Sequence, residues 1–315
     1  MPSTPRIVFL DAGTVDDLSA FDRFHELGDF TAYPRSKPDE VVERARDAQV
    51  VITNKVAITA DHLAELPELR LICVAATGTN NIDKEAAKQR DIPVRNVAGY
   101  STDSVAQLTL TALFTVAMDL IHLNREVYNG NYSKAQDFTL WRHPFYELAG
   151  SRYGIIGLGT IGTRVAELAT AYGAEVVYYS SRGTEHDVPY PRLELDEFLT
   201  SCDVISIHCA LTDATRGLIG REELGKMKSS AYLVNVARGG IIDEAALVEA
   251  LNKGAVAGAA VDVFTEEPLP EDHVYLTVDN PEKLLLTPHV GWASVEARTR
   301  LIEGVMENIA LGFAG

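Results

Sequence analysis

One run of residues limits the possible folds more than any other. It reads Tyr153-Gly154-Ile155-Ile156-Gly157-Leu158-Gly159-Thr160-Ile161-Gly162. A short apolar strand leads into G-x-G-x-x-G, and an amphipathic period follows. Ile161, Val165, Leu168, Ala169 and Tyr172 share one helical face. Gly173 then stands where a helix C-terminus favours glycine. Another strand candidate comes next, at 175–179. In this setting Gly157 serves a tight turn, Gly159 admits a pyrophosphate close to the backbone, and Gly162 lets the helix pack on the strand. Free N–H groups and positive potential at the helix N-terminus suit the phosphate charge. The run predicts a dinucleotide site within an α/β sheet. A purely structural glycine turn is the alternative, and the flanking strands and helix weigh against it.

The same alternation runs along the whole chain. Strand candidates lie at 7–10, 50–53, 71–75, 153–157, 175–179, 204–209, 232–236, 257–263 and 284–286. Several are nearly continuous Val, Ile and Leu, as in parallel strands covered on both faces. Helical periods separate them, including 245–251, closed by Asn252-Lys253-Gly254. The stretch 101–123 reads as one long helix joining two units. Gln107, Thr109, Thr111, Thr115 and Asp119 interrupt its apolar run, which suits a buried helix better than a membrane span. Loops are expected at 184–191 and 266–272. A chain of 315 residues holds about two domains of ~150 residues. The glycine run starts mid-chain, so a complete α/β unit precedes it.

Charge excludes some partners. Lys plus Arg is 28 and Asp plus Glu is 45, a formal charge of −17. A surface this acidic argues against nucleic acid and anionic membranes as partners. It leaves room for a local basic pocket. Cys73, Cys202 and Cys209 form no C-x-x-C pair, so neither a disulfide framework nor a metal site is expected. The segment before Ile7 is too short for a signal-peptide core, and a cytoplasmic location is expected.

The strand after the glycine turn normally ends in an acid that binds the adenosine ribose. Here it reads Tyr178-Tyr179-Ser180-Ser181-Arg182, with Ser180 at that place. Serine does not repel a 2′-phosphate, and Arg182 offers it a charged fork. The pattern favours NADP over NAD as cofactor. Glu185 and Asp187 lie nearby and weaken the case, and a solvated Arg182 is the alternative.

Three later segments carry candidate chemistry. They are Asn235-Val236-Ala237-Arg238-Gly239-Gly240, Val261-Asp262-Val263-Phe264-Thr265-Glu266-Glu267-Pro268 and Thr287-Pro288-His289-Val290-Gly291-Trp292. Arg238, Glu267 and His289 each follow a strand end, where open α/β sheets bind ligands. Singly, each has an ordinary structural reading. Together with Ala76-Thr77-Gly78-Thr79-Asn80-Asn81-Ile82-Asp83, these segments resemble the D-isomer-specific 2-hydroxyacid dehydrogenase family over nearly the whole chain. The stretch 99–107 and Trp292-Ala293-Ser294 are most similar to its glycerate dehydrogenase and hydroxypyruvate reductase branch.

The resemblance implies reduction of a small 2-oxo acid, hydroxypyruvate or glyoxylate, to a D-2-hydroxy acid with NAD(P)H. In that scheme His289 gives a proton to the carbonyl oxygen, and imidazole with an ordinary pKa of ~6.5 suits the exchange. Glu267 holds the ring, and Arg238 forks onto the substrate carboxylate. Thr77, Gly78 and Trp292 complete the substrate site. Thr160, Ile161, Cys209, Val236 and Ala237 line the cofactor, and Asp262 binds the nicotinamide carboxamide. The implied fold has two doubly wound parallel-sheet domains, a Rossmann cofactor domain (99–289) inserted into a flavodoxin-like substrate domain (1–98 and 290–315). Closure of the cleft between them would exclude water from the hydride. A homodimer is implied as well, with the aromatic segment 138–146 in its interface and Trp141 reaching the partner. The alternatives are a D-lactate-type or branched 2-oxo acid reductase, or a nucleotide-sensing binding protein like the family's corepressors.

Overall fold

The computed structural model describes residues 4–15, 21–140 and 144–313. The chain folds as two units, Met1–Ser101 with Ala293–Gly315, and Thr102–Trp292.

The first unit holds strands β1 (Arg6–Phe9), β2 (Asp29–Ala32), β3 (Val50–Thr53), β4 (Leu71–Val74) and β5 (Val94–Asn96), in the order β2-β1-β3-β4-β5. Every pairing is parallel. This is the flavodoxin-like doubly wound order. β3 and β4 are buried along their length, as their nearly continuous apolar sequences require. Val8, Val51, Ile72 and Val74 face a core with Val41, Leu63 and Ala87 from the short helices and Leu66 just after one of them. The last helix, Val295–Phe313, returns to this sheet. A Cβ on Gly304 would lie 2.6 Å from Val97, and one on Gly312 would lie 2.8 Å from Leu71, so its small residues permit close packing.

Strands β6 (Arg152–Ile156), β7 (Glu175–Tyr179), β8 (Val204–Ile207), β9 (Tyr232–Asn235), β10 (Gly258–Val261) and β11 (Leu284–Leu286) form the second sheet, in the order β11-β10-β9-β8-β6-β7. Its pairings are parallel too. Successive side chains go to opposite faces. Tyr153, Ile155, Val204, Val234 and Ala260 meet the helices Thr102–Ala117 and Thr160–Ala171. Ile156, Ile205, Leu233, Ala259 and Val261 meet Phe198, Leu224, Leu247 and Leu251. Beyond β7 a single parallel bridge, Tyr178 to Arg192, stands where a further strand would extend the sheet.

The structure departs from the sequence expectation in two places. The edge strands β2 and β5 carry the polar sequences DFTA and VRN, which have no apolar run to betray them. The expected single helix over 101–123 is two, Thr102–Ala117 and Leu120–Tyr128, bent by 59°. Asp119 at the break takes the left-handed conformation, φ 53°. No single helix among the described residues is long and apolar enough to cross a membrane. This bent pair passes by length and composition only, and its first member is largely buried against the second sheet.

One half-buried histidine ties this core to pH. His208 follows β8, with its Nε2 2.9 Å from Ser206 Oγ, while its Nδ1 atom is buried without a partner among the described residues. Burial lowers its pKa from 6.5 to about 3. The unfolded chain therefore binds a proton that the fold refuses, and stability falls as pH drops below 6.5 toward 3. His208→Asn is expected to flatten this acid slope. Thermal melts of both proteins across that range check it, and parallel slopes would refute it.

Candidate active site

The carboxyl ends of the parallel strands in the second sheet share one edge, and every candidate from 157 to 289 follows one of them. Gly157 comes directly after β6 with φ 91°. A Cβ there would lie 2.7 Å from the backbone N and Cβ of Cys209. Only glycine meets both demands, positive φ and close approach. Gly162 lies under the same turn, where a Cβ would come within 2.3 Å of Gly157 O. Nothing lies within 4 Å of the corresponding point at Gly159, so the turn is open on that side. Gly159 is also the N-cap of Thr160–Ala171, and no side chain caps this helix. Its first N–H groups thus remain available to an anion. Thr160 is exposed and Ile161 half-buried at that end. The donor set fits a pyrophosphate.

At the end of β7, Ser180 Oγ accepts the N–H of Thr184 at 3.1 Å. Ser181 is half-buried and Arg182 exposed. Glu185 lies 3.9 Å from Arg192, which also binds Glu194 at 2.9 Å. The acid that weakened the sequence case is therefore placed by a different arginine. After β8, Cys209 packs against Gly157. Burial pushes its thiol up to about 11, so it stays protonated near neutral pH.

Beyond β9, the buried Asn235 side chain folds the chain back on itself. Its Oδ1 accepts the N–H of Ala237 at 3.1 Å, and its Nδ2 donates to Arg238 O at 2.9 Å. Val236 and Ala237 are buried and Arg238 is half-buried. Gly239 presses directly on the next loop. A Cβ there would sit 2.0 Å from Phe264 C and 2.3 Å from Thr265 N. The arginine turn and the loop that carries Glu267 are thus in backbone contact.

Glu267 and His289 meet. His289 Nδ1 lies 2.7 Å from Glu267 Oε2, and Glu267 Oε1 accepts the N–H of Phe264 at 3.0 Å. Their side chains are 23% and 32% exposed. His289 has φ 54°, an uncommon conformation for a non-glycine residue, costing roughly 1–3 kcal/mol. Asp262 holds it there. Its carboxylate accepts Thr287 Oγ1–H at 2.6 Å, Val290 N–H at 2.9 Å and Gly291 N–H at 2.9 Å. Asp262 is 2% exposed. Both oxygens serve the turn that carries His289, a role that sequence spacing did not suggest. Ser104 Oγ also donates to Gly291 O, at 2.6 Å.

Thr77 and Gly78 follow β4 in the first unit, with Thr77 Oγ1 donating to Val97 O at 3.2 Å. Trp292 closes the second unit and is half-buried. Trp141 lies outside the described residues. Sequence reasoning gave no role to Asn235, Thr287 or Glu244. The adjacency of Asn235 to the Arg238-Gly239 pair was the one local signal available. Asp119, His122 and Glu282 bring ligand-capable atoms within 4.8 Å of one another. Two of them already form a contact, His122 Nδ1 to Glu282 Oε1 at 2.6 Å.

Comparison with known proteins agrees with this geometry. Residues 110–291 match the model of the D-isomer specific 2-hydroxyacid dehydrogenase, NAD binding domain. The chain is 38% identical to a glycerate dehydrogenase of Methylorubrum extorquens over 99% of this chain and 97% of the relative. It is 36% identical to a hydroxypyruvate reductase of Blautia hydrogenotrophica over 90% and 88%. Among solved structures it is similar to an NADPH-dependent glyoxylate/hydroxypyruvate reductase of Sinorhizobium meliloti in complex with NADP and malonate. That match has a TM-score of 0.86 at 26% identity and covers 99% of this chain and 94% of that one. With a binding edge for a nicotinamide dinucleotide and a Glu–His pair on the same sheet, the chain belongs to the D-isomer specific 2-hydroxyacid dehydrogenase family.

Proposed function

We propose that this protein reduces a small 2-oxo acid, hydroxypyruvate or glyoxylate, to the D-2-hydroxy acid, with NADPH as the preferred donor. The observation that carries the reading is the 2.7 Å contact between Glu267 and His289 at the strand edge that also bears the glycine turn. The nicotinamide supplies the hydride. His289 Nε2, the ring nitrogen turned away from Glu267, gives the proton to the carbonyl oxygen, so an alkoxide never has to form free. Glu267 fixes the ring through Nδ1. Arg238 binds the substrate carboxylate through its planar fork. Thr77 and Gly78, in the first unit, are assigned to the substrate by family resemblance. The first unit then serves the substrate and the second the cofactor.

Two observations support NADPH. Ser180 brings no negative charge to the ribose position, and Arg182 is exposed with no ion-pair partner among the described residues. A homodimer is part of the same proposal. Between 120 and 146, Leu120, Ile121, Val127, Tyr128, Phe138, Phe145 and Tyr146 are exposed, Tyr128 at 84% and Phe138 at 91%. A run of this kind marks an association surface. A nearby cavity of about 790 Å³, lined by Phe114, Phe145, Tyr146 and Tyr172, extends it.

Kinetics and sedimentation test these readings. His289→Ala is expected to lower kcat with hydroxypyruvate by roughly 10²–10⁴-fold, the usual contribution of a general acid, while the Kd for NADPH stays unchanged. Unchanged turnover would remove His289 from the chemistry. NADPH oxidation that fails across a panel of 2-oxo acids, with cofactor still bound, would favour a nucleotide-sensing protein. Comparison of kcat/KM for NADPH and NADH is expected to favour NADPH. Arg182→Ala should cut only the NADPH value, by about tenfold or more, as for one charge-assisted hydrogen bond. An NADH preference in the parent protein would sink this assignment. Sedimentation at micromolar concentration is expected to give a dimer, and a monomer would overturn that part.

A further inference from the structure

Glu244 reads in the sequence as an ordinary acid at a helix start. It is the first residue of Glu244–Lys253, after the N-cap Asp243, whose side chain accepts the N–H of Ala246. An acid there favours the helix dipole and is normally solvated. In the structure it is turned inward, and its side chain is only 14% exposed. Glu244 Oε1 accepts the backbone N–H of Thr265 at 2.9 Å. Glu244 Oε2 lies 3.0 Å from His273 Nε2, and the His273 side chain is 9% exposed. His273 Nδ1 accepts the N–H of Tyr275 at 3.2 Å, so the ring proton sits on Nε2 and is donated to Glu244. Phe264 and Tyr275 flank the ring, with centroids 6.2 Å and 5.0 Å away.

Thr265 is the residue that gives this pair a consequence for chemistry. The preceding N–H, that of Phe264, is accepted by Glu267. Two consecutive N–H groups are thus taken by two carboxylates, Glu267 from within the loop and Glu244 from outside it. The same peptide is pressed from below by Gly239, next to Arg238. The backbone of Phe264 and Thr265 is therefore the joint at which the arginine turn, the Glu267 loop and the helix start are fixed to one another. We propose that Glu244, oriented by His273, is a positioning residue that fixes the Glu267–His289 pair for proton transfer. The proposal rests on the reading of that pair given above.

The carboxylate itself is required. In Glu244→Gln the amide oxygen can accept from Thr265 only if the amide N–H₂ faces the His273 Nε2–H, donor against donor. If the ring proton moves to Nδ1, it meets the N–H of Tyr275 instead. One hydrogen bond is lost either way, with almost no change of shape.

The test is a double-mutant cycle on the full chain, with hydroxypyruvate and NADPH as reactants. Glu244→Gln is expected to lower kcat by about tenfold, within the range that small misplacements of catalytic groups produce. KM for hydroxypyruvate and Kd for NADPH should stay within about twofold. In a Glu267→Gln background the same substitution should change kcat by less than about twofold, because the group it positions is already disabled. Equal losses in both backgrounds would mean a merely structural role and would overturn the proposal, as would full kcat in Glu244→Gln alone. His273→Phe keeps an aromatic side chain and removes the donor to Oε2, together with the acceptor for the Tyr275 N–H. It should give a smaller kcat loss that also vanishes with Glu267→Gln, and it decides the matter if Glu244→Gln does not fold. Wild-type turnover in Glu267→Gln would instead overturn the reading of the Glu267–His289 pair. A slow Glu267→Gln with a fast Glu244→Gln would overturn this inference alone.

Discussion

A buried carboxylate holds the site together. Asp262 is almost wholly withdrawn from water and pairs with no arginine or lysine among the described residues; its charge is met by a hydroxyl and two backbone N–H groups. A carboxylate carries a heavy desolvation cost, and several directed hydrogen bonds offset it. Those donors all belong to residues 287–291. The compensation for burying Asp262 is therefore the same set of bonds that bends the chain at His289 into a conformation it would otherwise avoid. Stability and reactive geometry are coupled through one side chain. Glu267 approaches His289 only because β10 and β11 are neighbours, so that both loops leave the same edge.

Electrostatics narrows the picture further. The chain is strongly acidic overall, and both proposed reactants are anions. Several arginines near the strand edge are already committed to acids. Arg164 binds Asp103 and Glu167, and Arg192 binds Glu194. In the proposed function, phosphate and carboxylate are drawn by the uncapped helix at Gly159, by Arg182 and by Arg238. Local donors win over the general field because fields from distant surface charges are screened within about 10 Å in ordinary salt, while contacts inside a pocket are not.

Much of this was legible beforehand. The glycine turn is read directly, since spacing, strand and helix are contiguous in sequence. The inner strands β3, β4 and β8 are read equally well, because burial on both faces favours a nearly continuous apolar run. Edge strands escape that demand, and β2 and β5 were missed for this reason. The break at Asp119 was hidden because apolar residues flank it on both sides. Arg238, Glu267 and His289 were found through family resemblance, not from their spacing. The work of Asp262 was invisible, since its partners lie 25 to 29 residues away and nothing local encodes them. Glu244 was hidden in another way. Its sequence position offers a sufficient local explanation, and only the loop folded over it reveals another.

The single bridge between Tyr178 and Arg192 has an evolutionary consequence. Where a full strand would lock the chain residue by residue, 180–191 is an arc held at its ends and at one point between, where the His186 N–H donates to the Tyr178 hydroxyl at 3.0 Å. Its residues contribute little to either core of the second unit, Val188 and Tyr190 excepted. Substitutions along it therefore carry a small stability penalty. A lineage could exchange one nucleotide donor for another by rewriting this arc, with the sheet, the glycine turn and the proton-transfer pair left untouched.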